Sequence, residues 1–119
     1  MDPMEYRTNR RTGDRISILG VGNSTLASAG EREAVATLEL ALEHGVNYYD
    51  LAASESGCFP QFGAAFAGVR GQVLYQVHFG AVYGPGKSYS WTTDLETVKR
   101  SVGWQLEQPK TDYIDHGFI

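Results

Sequence analysis

The sequence predicts an α/β fold, an N-terminal hairpin followed by four strands that alternate with helices, and three observations carry that prediction. Apolar runs at 16–22, 46–50, 72–80 and 112–119 are short and nearly continuous, the pattern of parallel strands buried on both faces. Between them, apolar residues recur at helical spacing, most clearly Ala34, Val35, Leu38, Ala41 and Leu42. Gly, Pro and capping residues punctuate the boundaries, and strand–helix alternation of this kind implies a parallel sheet.

The elements follow in order. "MEYRTNRRTGDRIS" (4–17) gives two short extended pieces around Gly13-Asp14, a hairpin too polar for the core. "ISILGVG" (16–22) is the first strand, ending at Gly20 and Gly22. Ser28 and Glu31 have the spacing of a capping box, and the helix they open should stop at Gly45, free to adopt the left-handed conformation of a C-terminal cap. "VNYYD" (46–50) is the second strand. "FPQFGAAFAGV" (59–69) reads as a helix with Pro60 in its first turn, and "QVLYQVHFG" (72–80) as the third strand. Ala81 to Thr92, rich in Gly, Pro and Ser, reads as a long loop. Thr93 with Glu96 caps a last helix whose apolar stripe is Leu95, Val98, Val102 and Leu106 and which ends before Pro109; Gly103 within it costs about 1 kcal/mol relative to Ala. "DYIDHGFI" (112–119) is the fourth strand.

Length and composition narrow the function classes. A chain of 119 residues fits one domain, and its 42% hydrophobic and 20% charged residues are ordinary globular usage. A net charge of −4 argues against a nucleic-acid surface; Arg7, Arg10, Arg11 and Arg15, interrupted by Asp14, read as a solvated turn. The one cysteine, Cys58, suits a reducing cytoplasm and cannot by itself hold a metal or an iron–sulfur cluster. No run is long and apolar enough for a membrane span or a signal-peptide core.

In a parallel α/β sheet, ligands meet the carboxyl ends of the strands, where this chain places Asp50 and the segment His78 to Gly80. The loop after Asp50 offers Ser54, Glu55, Ser56 and Cys58 as reactive side chains. Asp50 can orient a base or pair with a cation, or merely cap the next segment. Glu55 acts as an acid only if burial raises its pKa, and is otherwise an ionised loop residue. His78 carries the side-chain type that exchanges protons near neutral pH, and a shuttle with Glu55 or Asp50 stands beside the alternative of a hydrogen-bonded structural histidine. Gly20 and Gly22 suit any tight strand exit and do not make the Gly-x-Gly-x-x-Gly fingerprint. Four strands fall short of a closed (β/α)8 barrel, so a barrel here is partial.

Several segments resemble one family in order and spacing: "MEYRTNRRTGDRISILGVGN", "ALEHGVNYYDLA", "VLYQVHFG" and "TTDLETVKRSVGWQLEQPKTDYIDHGFI". Residues 1–119 together look like the N-terminal part of an aldo-keto reductase. "DLAASES", "FPQFG" and "YQVHFGA" are similar to a bacterial subgroup whose longer members carry a ferredoxin-like iron–sulfur region after the barrel. The resemblance implies a partial (β/α)8 TIM barrel and reduction of a small aldehyde or ketone with NADPH or NADH. It places the family's catalytic Asp on Asp50, its proton-donating Tyr on Glu55, its Lys on His78 and its His at the position after Ile119. It likewise matches Gly22 and Asn23, with Asp50, to the cofactor-facing turn, and it puts Tyr83, Tyr89 and Trp91 in a loop that lines substrate pockets. Lacking the usual Tyr, Lys and His, the chain is expected to be inactive alone, either the first part of a reductase or a catalytically silent scaffold, and to self-associate through exposed sheet edges.

Overall fold

The computed structural model describes residues 3–51, 58–84 and 88–119. In chain order the strands are β1 (Tyr6–Thr8), β2 (Arg15–Ser17), β3 (Gly20–Gly22), β4 (Tyr48–Leu51), β5 (Leu74–His78), β6 (Ala81–Gly84), β7 (Ser88–Trp91) and β8 (His116–Phe118). The helices are α1 (Glu31–Glu43), α2 (Phe59–Ala65) and α3 (Leu95–Glu107). Strands β3, β4, β5 and β8 form one parallel sheet in that order, the four strands expected.

The hairpin β1–β2 pairs Tyr6 with Ser17 and lies outside the core, with all four arginines of its sequence exposed. It is fastened to the residue before β4, Asn47. Asn47 Oδ1 accepts from Ser17 N (2.8 Å), Asn47 Nδ2 donates to Arg15 O (2.8 Å), and Asn47 N donates to Ser17 Oγ (3.0 Å). A primary amide carries the same donor and acceptor as a peptide, so it stands in for a neighbouring strand.

Strand alternation builds the core. Tyr49 and Leu51 of β4 and Tyr75 and Val77 of β5 point one way and are at most 1% exposed. They meet Leu38 of α1 and Phe59, Phe62 and Phe66 in and after α2, with Tyr49 and Phe66 ring centres 4.7 Å apart and Phe62 edge-on to Tyr75 at 5.9 Å. The two buried phenols are satisfied: Tyr49 Oη donates to Val46 O (2.7 Å) and Tyr75 Oη to Phe62 O (3.3 Å).

Arg70 joins β5 to the segment before β8. Its guanidinium lies 4.0 Å from the Tyr75 ring and 3.9 Å from the Tyr113 ring, and donates to Asp115 Oδ2 (2.9 Å). The same Asp115 oxygen accepts from Tyr75 N (2.8 Å).

Several boundaries differ from the sequence expectation. The run 16–22 is not one buried strand. Ser17 spends its polar groups on Asn47 and on Leu19 O, the chain turns from hairpin to sheet, and Ile18 and Leu19 are left 51% and 59% exposed. The Ser28–Glu31 capping box does not form: Gly30, at φ 86°, is the cap of α1, and Ser28 Oγ donates to Thr25 O. The other end is as expected, since Gly45 (φ 91°) donates to Leu42 O and Val46 N to Ala41 O. α2 is shorter than 59–69, and Gly63 sits so close to Pro109 that a Cβ there would lie 2.7 Å from its carbonyl oxygen.

Within 81–92, expected as a loop, Ala81–Gly84 and Ser88–Trp91 pair as antiparallel strands, with Val82 opposite Ser90 and Tyr83 opposite Tyr89. Asp94, not Thr93, caps α3, accepting from Thr97 N at 2.9 Å. The innermost positions of α3 are polar: Ser101 Oγ donates to Ala81 O, and Gln105 Nε2 to His78 O (3.2 Å). Leu95 is 63% exposed, so the apolar stripe flanks the buried line rather than forming it.

Candidate active site

The face of the sheet turned away from the helices is polar. Gly22, Asp50, Gln76 and His116 stand in one line across β3, β4, β5 and β8, and His78 lies one repeat further along β5, opposite Phe118. Period-two alternation puts all of them on the side opposite Tyr49, Tyr75 and Val77. Tyr48 Oη donates to Gln76 Oε1, and burial, then the Asp50 charge, raises the Tyr48 pKa above the ordinary phenol value. Below this row, His116 Nε2 lies 3.7 Å from Asp14 Oδ2 of the β1–β2 hairpin.

His78 Nε2 and Asp50 Oδ1 are 3.4 Å apart at the carboxyl ends of adjacent strands. At that distance the carboxylate would attract the ring only when the imidazole carries a proton, and among the described residues Asp50 Oδ1, buried, makes no hydrogen bond. The imidazole stacks on Phe118 at 4.9 Å, with Trp91 at 6.2 Å. Gln105 fixes the His78 backbone from behind through the bond to its carbonyl.

Beyond Gly22 the chain enters Asn23, 1% exposed, whose amide nitrogen and oxygen both lack partners among the described residues. Gly22 itself has no described atom within 4 Å of where a Cβ would be. Cys58, 1% exposed, places its Sγ 3.6 Å from Asn23 O. Tyr83 and Tyr89 meet at 5.6 Å, and Tyr89 meets Trp91 edge-on at 5.7 Å, an aromatic group beside His78. A cleft of about 280 Å³ lined by Leu26, Ala34, Cys58 and Gln61 opens elsewhere, on the helix side, and includes neither Asp50 nor His78.

The structure thus brings Asp50, His78 and Gly22 together, with Asn23 next in the chain. Glu55 lies outside the described residues. Reading the sequence for reactive residues passes over Tyr48, Gln76 and His116; Tyr48 and Gln76 stand two residues from Asp50 and His78, a spacing that shares their face, whereas His116 joins the row only by pairing with Gln76 in register. Among the described residues, no group of three or more His, Cys, Asp or Glu side chains could hold a metal, and no helix is long and apolar enough to cross a membrane.

No family model matches the sequence, and no curated protein does. Solved structures do match in fold. A Pseudomonas aeruginosa protein assigned as an aldo-keto reductase aligns over 95% of this chain with a TM-score of 0.80 and 26% identity. The holo form of an aldo-keto reductase from Bacillus halodurans aligns over 96% with a TM-score of 0.81 and 25% identity. An aldo-keto reductase from Klebsiella pneumoniae in complex with NADPH aligns over 98% with a TM-score of 0.74 and 22% identity. The chain spans 46%, 39% and 39% of those three, less than half of each. Its fold is therefore a part of the aldo-keto reductase barrel, carrying a strand-end Asp–His pair.

Proposed function

We propose that this chain forms the nicotinamide- and carbonyl-facing part of an NAD(P)H-dependent reductase of aldehydes or ketones, with Asp50 and His78 as its proton-handling pair. One observation carries the reading: a carboxylate and an imidazole 3.4 Å apart on adjacent parallel strands, at the end where barrels hold their substrates. The neighbour in complex with NADPH supports the cofactor class.

The residues suit the nicotinamide end of such a cofactor. Gly22 presents no side chain to a flat ring, and the Asn23 amide, unpartnered among the described residues, can both donate to and accept from a carboxamide. Bound there, the reduced cofactor supplies hydride. His78 passes a proton to or from the substrate oxygen, and Asp50 stabilises the imidazolium. Glu55, where the resemblance places a tyrosine, is a second proton carrier in this proposal.

The chain alone is expected to turn over little or nothing. A second reading, a catalytically silent scaffold, is favoured by Glu55 and His78 standing where the resemblance places Tyr and Lys. Self-association through the outer strands β3 and β8, a cytoplasmic setting suggested by the single cysteine, and the iron–sulfur subgroup suggested by "DLAASES" and "FPQFG" belong to the proposal as well.

Titration calorimetry with NADPH and NADH, alongside size-exclusion profiles, tests the reading. Binding tighter than about 1 mM that Asp50→Asn and Gly22→Val both weaken supports the reductase part. A folded chain that takes up neither nucleotide leaves the scaffold.

A further inference from the structure

The β1–β2 hairpin meets the rest of the chain at two places of different kind. Its base is held by neutral hydrogen bonds, three through Asn47 and one from Tyr6 Oη to Gly45 O at 2.8 Å. Its turn, 9–14, is knit to itself. Asn9 N donates to Asp14 O and Gly13 N to Asn9 O, both at 2.8 Å; Arg11 N donates to Asn9 Oδ1 (2.9 Å) and Thr12 Oγ1 to Asp14 Oδ2 (2.6 Å). Among the described residues this turn makes no hydrogen bond outside the hairpin. What it meets instead is His116, the first residue of β8, whose Nε2 lies 3.7 Å from Asp14 Oδ2.

That ring nitrogen is buried and has no hydrogen-bond partner among the described residues. At 3.7 Å a neutral imidazole makes no hydrogen bond to the carboxylate, whereas an imidazolium is a cation beside an anion in a partly shielded place. Histidine is the side chain that ordinarily gains this charge between about pH 8 and about pH 5, where an aspartate is ordinarily ionised.

The other charged and titratable groups around His116 are occupied elsewhere. The Tyr48 ring lies 5.6 Å away on β4, and burial, then the Asp50 charge, keeps its phenol protonated. Asp50 stands two strands off in the same row, beside His78. Asp115 gives its Oδ2 to Arg70 and Tyr75 N, and the Arg15 guanidinium lies over the Tyr6 ring at 4.8 Å. Among the described residues, Asp14 is the one carboxylate within 4 Å of the His116 ring nitrogens.

We infer that Asp14 and His116 form a proton-operated clasp, which holds the hairpin turn against the polar face of the sheet at β8 when His116 is charged and releases it when His116 is neutral. The contact is therefore gained as pH falls and His116 takes up a proton, and lost as pH rises and the proton leaves. The base of the hairpin, held by uncharged groups, stays attached in both states. The clasp is independent of the reductase reading.

Amide hydrogen exchange of the purified chain, read by NMR as protection factors so that the intrinsic pH dependence of exchange cancels, tests it at about pH 5.5 and about pH 8. The Asn9, Arg11 and Gly13 amides should be about threefold to fivefold better protected at the lower pH, the scale of a partly exposed ion pair. Asp14→Asn and His116→Gln should each bring that ratio to within about 1.5-fold of unity. His44→Gln removes the histidine that lies with Met4 and Glu5 near the base of the hairpin, and should leave the ratio unchanged. A ratio near one in the unsubstituted chain, its persistence in Asp14→Asn, or its loss in His44→Gln overturns the inference. Circular dichroism checks folding; if His116→Gln does not fold, Asp14→Asn, which keeps an oxygen for the Thr12 hydroxyl, decides alone.

Discussion

The two faces of the central sheet are made by alternate residues of the same strands, and they differ in kind. Toward the helices, Tyr49, Leu51, Tyr75 and Val77 are sealed among phenylalanines, with both phenols hydrogen-bonded. On the other face, Tyr48, Asp50, Gln76, His78 and His116 are half-buried and polar, and Asp50 Oδ1 and His116 Nε2 lack hydrogen bonds among the described residues. The difference teaches that stability and chemistry are separated here by a single residue step along each strand, so a substitution's effect should depend on its parity more than on its distance from the site.

The largest expected effect breaks the first face. Phe62→Ala should lose about 3–5 kcal/mol in urea unfolding, because Phe62 is wholly buried between Tyr49 and Tyr75. His78→Ala, on the opposite face, should stay within about 1 kcal/mol of the parent. Equal losses would end the distinction.

Next comes Gly63→Ala. In a helix this exchange normally stabilises, but here the new methyl would meet the backbone of Pro109, 2.7 Å from its oxygen and 2.9 Å from its carbonyl carbon. A loss of about 1–3 kcal/mol is expected instead, read as a lower melting temperature. A gain would mean that α2 and the chain after α3 are free to separate.

Asn23→Leu sharpens the comparison from the other side. Its amide is buried and unpartnered among the described residues, so an apolar side chain of similar shape should raise stability by up to about 1 kcal/mol while weakening nucleotide binding. A destabilised variant would show that the amide serves the fold.

The smallest effect is a pH dependence at α3. Hydrogen bonds from the Thr97 side chain, then from its backbone, hold the Asp94 carboxyl below its ordinary value. A lowered folded pKa contributes stability above the unfolded value and loses it as pH falls through the folded one. The small melting difference between the parent and Asp94→Asn should therefore be present at neutral pH and vanish below the usual aspartate range.

Periodicity was enough to read the parallel sheet and its helices, because the buried alternation in β4 and β5 and the stripe of α1 record the core directly. It missed the β6–β7 pairing, since Pro85 and Gly86 read as loop punctuation although Val82, Tyr83, Tyr89 and Trp91 flank them as strand residues. Both mistaken caps lie one or two residues from the true ones, where Gly30 and Asp94 prevailed through conformational freedom and a carboxylate acceptor. The polar inner line of α3 was hidden because Ser101 and Gln105 are buried against backbone carbonyls, a partner no spacing rule reveals. At the site, Asp50 and His78 were legible as strand-end residues, while His116 joins their row only through its register with Gln76, which three-dimensional pairing discloses.

Asp115 has a consequence for how the fourth strand finds its place. β8 is only three residues long, His-Gly-Phe, and has little side-chain pattern with which to specify an alignment. A slip of one residue would carry the preceding Asp115 about 3.3 Å along the sheet and turn it to the opposite face. It would then abandon both Tyr75 N and the guanidinium held between two tyrosine rings. The information that aligns β8 is thus stored outside it, in one carboxylate that reads the neighbouring strand before the first residue of β8 is paired.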